Sequence, residues 1–417
     1  MFRKTLVLCV IALFICITIV PSNAIKQVVE KPLTMPSVSK TLYVGGNGSG
    51  NYTRIQDALD NASDGDTVFV YNDSSPYHEC IEIPRSITLL GEDKFSTIID
   101  GEKRLNIITV NDWYAKISGF TIKKNNDPNK RPYYGIYIGN DYDEITISDT
   151  IISNIETGIS VGSSFNQIID NTFFNCGLYV PFYSFGNTVL GNKVNNKSLV
   201  YLKNQYQKTI EDAGQVILID CQNINIKNSN ISNVYNGISL RNSDNCIIND
   251  NILTHSNIIL LDSNKNEVKN NTISLIKART MYEEIGIRLS SSNENILSKN
   301  KIYSNRGYGF KIEYSNYNII SNNEIKDNQN GIYLHDSNEN FIKNNNFLEN
   351  NKNADFLDSK NTLWNSNYWG KSRIFPKIII GSITIRPPGW GTPGVYFLWI
   401  NIDWIPAKEP YDLGVVI

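Results

Sequence analysis

The sequence predicts an all-β chain wound as a right-handed three-sheet parallel β-helix, with a capping helix at its N-terminal end and an aromatic cap at its C-terminal end. Three observations carry this reading. A glycine followed by a short apolar strand recurs, as in Gly135-Ile-Tyr-Ile, Gly158-Ile-Ser-Val, Gly286-Ile-Arg-Leu, Gly309-Phe-Lys-Ile and Gly331-Ile-Tyr-Leu, with intervals of 23, 23 and 22 residues for 135→158, 286→309 and 309→331. Each repeat holds three short strands, the second beginning near Ile145, Ile168, Ile296, Ile319 and Phe341 and the third near Ile151, Phe173, Ile302, Ile325 and Phe347. Asparagine and serine fill the turns between them. One such unit cannot bury its apolar side, whereas stacked units share a continuous core. No ~12-residue helical pattern separates the strands, which excludes βαβ units.

The elements follow in order. Residues 1–24 read as a secretory signal: Arg3 and Lys4 precede an apolar run from Leu6 to Val20, and Ser22-x-Ala24 supplies a small-residue cleavage site. An uncleaved anchor is the alternative, and the run is short for a bilayer span. Residues 25–40 read as a linker. A helix over Arg54–Ala62, with Thr53 as its N-cap and Ile55, Ala58 and Leu59 on one face, covers the open first coil and hides its edge. At the 22–23-residue period, roughly fourteen coils, stacked ~4.8 Å apart, fit into residues 41–360. Alternation within each strand places Ile136, Ile138, Ile287, Leu289, Ile332 and Leu334 inward. Two residues before the third strand stand Asp149, Asn171, Asp250, Asn271, Asn300, Asn323 and Asn345, and stacking turns this column into a side-chain ladder. A second column comprises Asn266, Asn295, Asn318 and Asn340. Residues 361–417 hold five of the 6 tryptophans and read as an aromatic cap on the last coil.

Composition narrows the function classes. Lys+Arg 39 against Asp+Glu 41 gives a net charge of −2, without the basic excess of a nucleic-acid binder. Beyond the signal remain Cys80, Cys176, Cys221 and Cys246, widely spaced and without a CxxC pair. They read mostly as free buried thiols. His78, His255 and His335 fall on separate coils, and Met35 and Met281 are the only methionines beyond the signal. No metal site or cofactor is assigned from these residues, and no segment after the signal is long and apolar enough to span a membrane.

The stretches Ile55-Gln-Asp-Ala-Leu-Asp-Asn-Ala-Ser-Asp-Gly-Asp-Thr-Val-Phe-Val, Ile87-Thr-Leu-Leu-Gly-Glu and Ser96-Thr-Ile-Ile-Asp-Gly resemble the opening of pectin-lyase-like β-helix proteins. The repeat Asn-x-Ile-x-x-Asn-x-Ile, with Ala213-Gly-Gln-Val-Ile-Leu-Ile-Asp-Cys-Gln-Asn-Ile, resembles NosD-type periplasmic copper-binding proteins, whose β-helix domain is related to carbohydrate-binding and sugar-hydrolase repeats. Asn367-Tyr-Trp-Gly and Asp403-Trp-Ile-Pro-Ala-Lys-Glu-Pro-Tyr-Asp resemble the tail of archaeal secreted members. The resemblance spans about residues 41–417. It implies the fold and a secreted or cell-surface location, and fold alone does not decide activity.

The candidate surface is the outward side of the glycine-led strands. Its first column reads Tyr137, Ser160, Tyr179, Ile217, Ser239, Ile259, Arg288, Lys311 and Tyr333. The second reads Gly139, Gly162, Pro181, Ile219, Arg241, Leu261, Ser290, Glu313 and His335. Arg288, Lys311, Glu313, Tyr333 and His335 therefore share one patch, whose cations and aromatic suit an acidic glycan. A solvated face of pairing charges is the competing reading. The expected function is carbohydrate binding or a surface scaffold, with a polysaccharide lyase or hydrolase and a copper-handling accessory protein as alternatives. No catalytic constellation is assigned: the sequence singles out no hydrolase carboxylate pair, and an Asp-Pro-His-Asp motif is absent. Two long connections, one with Lys123, Lys124, Lys130, Arg131, Tyr133 and Tyr134, the other with Arg279, Tyr282, Glu283 and Glu284, are expected to border the face. Ile217, Ile219, Ile259 and Leu261 would leave an apolar patch bare, so Leu199–Ala213 or Lys277–Glu284 is expected to cover it.

Overall fold

The computed structural model describes residues 39–101, 106–124, 133–181, 184–274, 284–303, 305–385 and 394–413. The signal, and the linker apart from its last two residues, lie outside these. Strands of neighbouring coils pair in parallel and in register, for example Thr41–Val44 on Thr67–Val70 and Ile319–Ser321 on Phe341–Lys343. The result is a three-sheet right-handed parallel β-helix. Ile136, Ile138, Ile287, Leu289, Ile332 and Leu334 are fully buried, while Tyr137, Arg288 and Tyr333 between them face outward. The core is one column of Ile, Leu, Val and Phe along the axis. Parallel pairing continues past residue 360, since Leu363–Asn365 lies on Phe341–Lys343.

The N-terminal coil is closed by the helix Ile55–Asn61, with Ile55, Ala58 and Leu59 fully buried. Thr53 is not its cap. Arg54 stands at the cap position and makes no side-chain cap bond. The Glu79 carboxylate, from a later coil, accepts the N–H groups of Ile55 at 2.8 Å and Gln56 at 3.1 Å. A carboxylate here answers both the open donors and the positive end of the helix.

The asparagine ladder is continuous over the C-terminal coils. Asn251 N donates to Asn271 Oδ1 at 3.1 Å, and the same bond runs from Asn271 to Asn300, Asn300 to Asn323, and Asn323 to Asn345, at 3.0, 2.9 and 3.0 Å. Each side-chain amide also donates to a carbonyl of the preceding coil, as from Asn323 Nδ2 to Leu297 O at 2.9 Å. Asn266, Asn295, Asn318 and Asn340 form a second ladder of the same kind. Asp149 and Asp250, expected in the first ladder, are one residue out of place. The buried members on their coils are Thr150 and Asn251. Asp149 and Asp250 are exposed and take φ of 51° and 57°, in line with Asn270, Asn322 and Asn344 at about the same angle. Short polar side chains are tolerated in this left-handed conformation, so this neighbouring column is also rich in Asp and Asn.

At the C-terminal end, Asn345 N donates to Asn367 Oδ1, and Asn367 N donates to Asp403 Oδ2 at 2.9 Å. Asp403 also accepts from Trp369 Nε1 at 3.1 Å. It therefore ends the ladder with a buried carboxylate that has no further donors to satisfy. Asp403 is brought there by the antiparallel hairpin of Lys377–Ile385 and Val395–Asp403. The expected aromatic cap is realised only in part. Trp364 and Trp369 are buried, and Trp369 stacks on Phe347 with ring centroids 4.6 Å apart. Trp399 and Trp404 remain exposed, and Trp390 lies outside the described residues.

The solenoid is interrupted after its coil at Lys193–Val194. After Lys193–Val194 the chain reverses through Asn195 and Asn196, with φ of 50° and 67°, into the strand Lys197–Lys203, which pairs antiparallel with it. Two successive positive φ values make a tight hairpin turn, for which asparagine is well suited. Consequently the glycine-led sheet is split. Five strands from Ile81–Ile83 to Leu178–Tyr179 form one part. The other begins with Lys197–Lys203 on Ala213–Ile219. At the seam the buried Gln215 side chain acts as a substitute peptide group. Its Oε1 accepts from Leu178 N at 3.0 Å, and its Nε2 donates to Leu178 O at 2.8 Å and Asn236 O at 2.9 Å. A Cβ on Gly177 would stand 2.6 Å from Gln215 Oε1, so that approach requires glycine.

Replacing Asn323 by Leu leaves backbone and side-chain partners on two coils without their bonds. We expect a loss of about 1–3 kcal/mol in urea or thermal unfolding. Asp250→Asn, at the exposed left-handed position, should stay within about 0.5 kcal/mol of the parent. Equal midpoints for both variants would show that the ladder adds nothing to stability.

Candidate functional site

The five candidate residues stand on three consecutive coils. The strand Tyr308–Glu313 lies between Ile285–Ser290 and Asn330–His335, with Arg288 opposite Lys311, Lys311 opposite Tyr333, and Glu313 opposite His335. Alternation along these strands turns all five outward. Arg288 Nε and Nη2 both donate to Glu313 Oε2, at 2.9 and 2.8 Å. Lys311 Nζ stands 3.4 Å from Glu313 Oε1 and 5.3 Å from the centre of the Tyr308 ring. Tyr308 and Tyr333 are 5.4 Å apart, Tyr333 and His335 6.2 Å. His335 Nε2 lies 3.3 Å from Asp336 Oδ2, with Tyr314 packed beside the ring at 5.4 Å. Glu313 is thus shared by two cations, an arrangement that fixes them in place and occupies the carboxylate. Sequence reading missed Tyr308, Tyr314 and Asp336. A Tyr-Gly pair at 308–309 repeats one at 134–135, where Tyr134 and Tyr137 are 5.3 Å apart, and this recurrence was the available signal.

The apolar interruption of the outward columns is covered, though not as expected. Ile217, Ile219 and Ile259 are 4%, 6% and 7% exposed. Leu199–Ala213 does not fold over them: its strand is a member of the same sheet, with Tyr201 level with Ile217. Lys277–Glu284 lies outside the described residues except for Glu284. The chain at the end of the first half-sheet provides cover instead. Leu178, Tyr179, Val180 and Pro181 face Ile217, Ile259 and Leu261 across a cleft of ≈ 170 Å³. Val180 O accepts from Arg241 Nη2 at 2.8 Å. Arg241 and Arg288 line the same cleft. The physical reason is the seam itself: the last strand of the first half-sheet has no backbone partner ahead and leans on the next half-sheet. Of the two bordering connections, residues 125–132 and 275–283 lie outside the described residues.

Among the described residues no group of three or more His, Cys, Asp or Glu side chains converges as a metal site. His255 Nδ1 is engaged with Asn233 Oδ1 at 2.9 Å, well apart in sequence and coil from His335. Cys80, Cys176, Cys221 and Cys246 are free thiols. Burial pushes Cys176 up to about 12 and Cys246 up to about 11, and raises Cys221 as well. Such thiols stay protonated at neutral pH, whereas a thiolate is what a soft metal binds.

The profile of the family described as periplasmic copper-binding protein (NosD) matches residues 59–214 and 206–382. The chain belongs to the NosD family. Among the described residues the donor chemistry above does not fit a copper site, and Met35 and Met281 lie outside them. No curated protein matches the chain. Among solved structures, the A-module of a mannuronan C-5 epimerase of Azotobacter vinelandii is 12% identical, with 80% of this chain and 92% of that one covered and a TM-score of 0.33. A periplasmic alginate epimerase is 13% identical over 71% and 76%, with a TM-score of 0.33. An alginate lyase from a Paenibacillus species is 12% identical over 68% and 94%, with a TM-score of 0.31. No helix among the described residues is long and apolar enough to cross a membrane.

Iodoacetamide at pH 8 should modify Cys176 and Cys246 only after denaturation, because alkylation needs the thiolate. Peptide mapping of the native protein reads this directly, and labelling of either thiol without denaturant would contradict their burial. Dialysis after copper loading should leave well under one equivalent per chain. Retention of one tightly held copper would overturn the donor argument.

Proposed function

We propose that this NosD-family chain is an exported β-helix protein that binds acidic glycans along the outward side of its C-terminal half. One observation carries the reading. Arg288 and Lys311 are held by one shared carboxylate next to Tyr308, Tyr333 and His335, on coils in strict register. Cations immobilised before ligand arrives lose less side-chain entropy on binding. Rings beside them offer flat apolar surface for sugar carbon faces. Coils spaced at ~4.8 Å repeat this lateral offer along the axis, which suits a linear polymer more than a compact ligand. Export is supported by the N-terminal signal pattern and by the periplasmic description of the family.

A lyase remains the chemical alternative because Lys311, 11% exposed at its side chain and next to Glu313, stands where a base and an acid-neutralising cation could meet a uronate. The same assay separates the two. An acidic-polysaccharide panel should show binding without new unsaturated ends. Growth of ultraviolet absorbance from unsaturated uronates would replace binding by elimination.

In the double variant Arg288→Ala, Lys311→Ala, binding to acidic polysaccharide should fall by about tenfold or more while the circular dichroism spectrum at 25 °C stays that of the folded parent. Undiminished binding would refute this placement of the site.

A further inference from the structure

The seam between the half-sheets holds a cation, Arg241, that no carboxylate of the described residues pairs directly. Arg241 is half-buried, on the outward side of Asn230–Arg241. Its Nη2 bonds a neutral carbonyl, that of Val180, and its Nε is buried without a hydrogen-bond partner. No carboxylate among the described residues forms an ion pair with it. Asp220 and Asp262 act on it only through longer-range attraction. Burial lowers its pKa, yet a guanidinium keeps its charge at neutral pH. A partly desolvated charge without a counter-ion is costly, and a guanidinium with unused donors is shaped for a planar carboxylate.

The surroundings define the rest of the ligand. Ile217 and Ile259 make an apolar floor, Tyr179 and Tyr235 stand at the walls, and Ser239 and Arg288 provide polar edges. The cleft measures ≈ 170 Å³. Tyr179 and Tyr235 on either side suit the width of a single sugar ring.

We infer that the seam is a pocket for a single carboxylate-bearing sugar ring, a terminal uronate, held by Arg241 at its carboxylate and by the Tyr179–Ile259 surface at its carbon face. This inference rests on the acidic-glycan reading and adds an end-specific subsite to it: the chain end seats in the seam and the polymer runs on over Arg288 and Lys311. Recognition would then depend on how many ends a glycan sample contains, not only on its mass.

The test uses the full chain and monomeric uronates (galacturonate, glucuronate, mannuronate and guluronate), each against its neutral hexose, by titration calorimetry and ligand-observed NMR. At least one uronate should bind and its hexose should not. Arg241→Gln should weaken that binding by about tenfold or more. Ser239→Trp, which fills the cleft and leaves the Arg241–Val180 bond, should do the same if Arg241→Gln proves unstable. Lys269→Ala, on the strand Glu267–Lys269 outside both the seam and the patch, should leave monomer binding within about twofold of the parent. Absence of binding by every monomer overturns the pocket, as do parent-like affinities in both seam variants. The same titrations with oligouronates then separate the two ideas. If oligomers bind and lose affinity in the Arg288→Ala, Lys311→Ala variant, the glycan reading stands and only the seam falls. If oligomers also fail to bind the parent, both fall.

Discussion

Every coil of this protein depends on its neighbour to satisfy polar groups that it cannot satisfy alone. Strand N–H and carbonyl groups find partners only on the coils before and after. The turns pose the harder problem, because a turn buried in a stack carries backbone donors with no strand opposite. The Asn side chain solves it by accepting a backbone N–H of the preceding coil through its oxygen and donating its nitrogen to a carbonyl of that coil and to the asparagine of the next, as Asn300 does with Asn271 N, Val268 O and Asn323 Oδ1. Buried polar groups left open cost more than the bonds add, so the ladder is a requirement of stacking.

That requirement also explains the ends. A stack has a last coil whose donors face nothing, and both ends solve this with a carboxylate brought from elsewhere. Glu79 receives the first N–H groups of the capping helix, and Asp403 receives those of Asn367 and Trp369. Acceptor-only groups suit the role, since they take up open donors without bringing further donors that need partners. The C-terminal hairpin is tied to the solenoid at its base by Asp403, while the aromatic and aliphatic side chains Tyr396, Leu398, Trp399 and Ile400 stay exposed along it.

The discontinuity at Asn195-Asn196 links architecture to the surface. In an unbroken helix the glycine-led strands would form one uninterrupted sheet with a flat outer side. Reversing the chain leaves an unpaired strand end, which Gln215 plugs with its amide and which then leans over Ile217 and Ile259. The patch of Arg288, Lys311 and Glu313 lies on regular coils beyond this point, so its geometry follows from register alone. The seam cleft does not follow from register.

Much of this was legible in the order of residues. The 22–23-residue interval and strict alternation identify the coils and place Ile136, Leu289 and Leu334 inward, because stacked short strands allow one face to the core and no other. The patch was legible for the same reason: once coils stack, residues one repeat apart are neighbours, and Arg288, Lys311 and Tyr333 must align. Column assignment within a turn was less secure. Asp149 and Asp250 resemble ladder members by composition, yet the left-handed position and the ladder position adjoin and accept the same residue types, so only backbone angles separate them. Closure of the helix N-terminus by Glu79, the tie at Asp403 and the cover over Ile217 arise from chain segments that break the repeat. Periodicity carries no information about where a segment goes once it leaves the period, and there the packing of the folded chain alone decides the outcome.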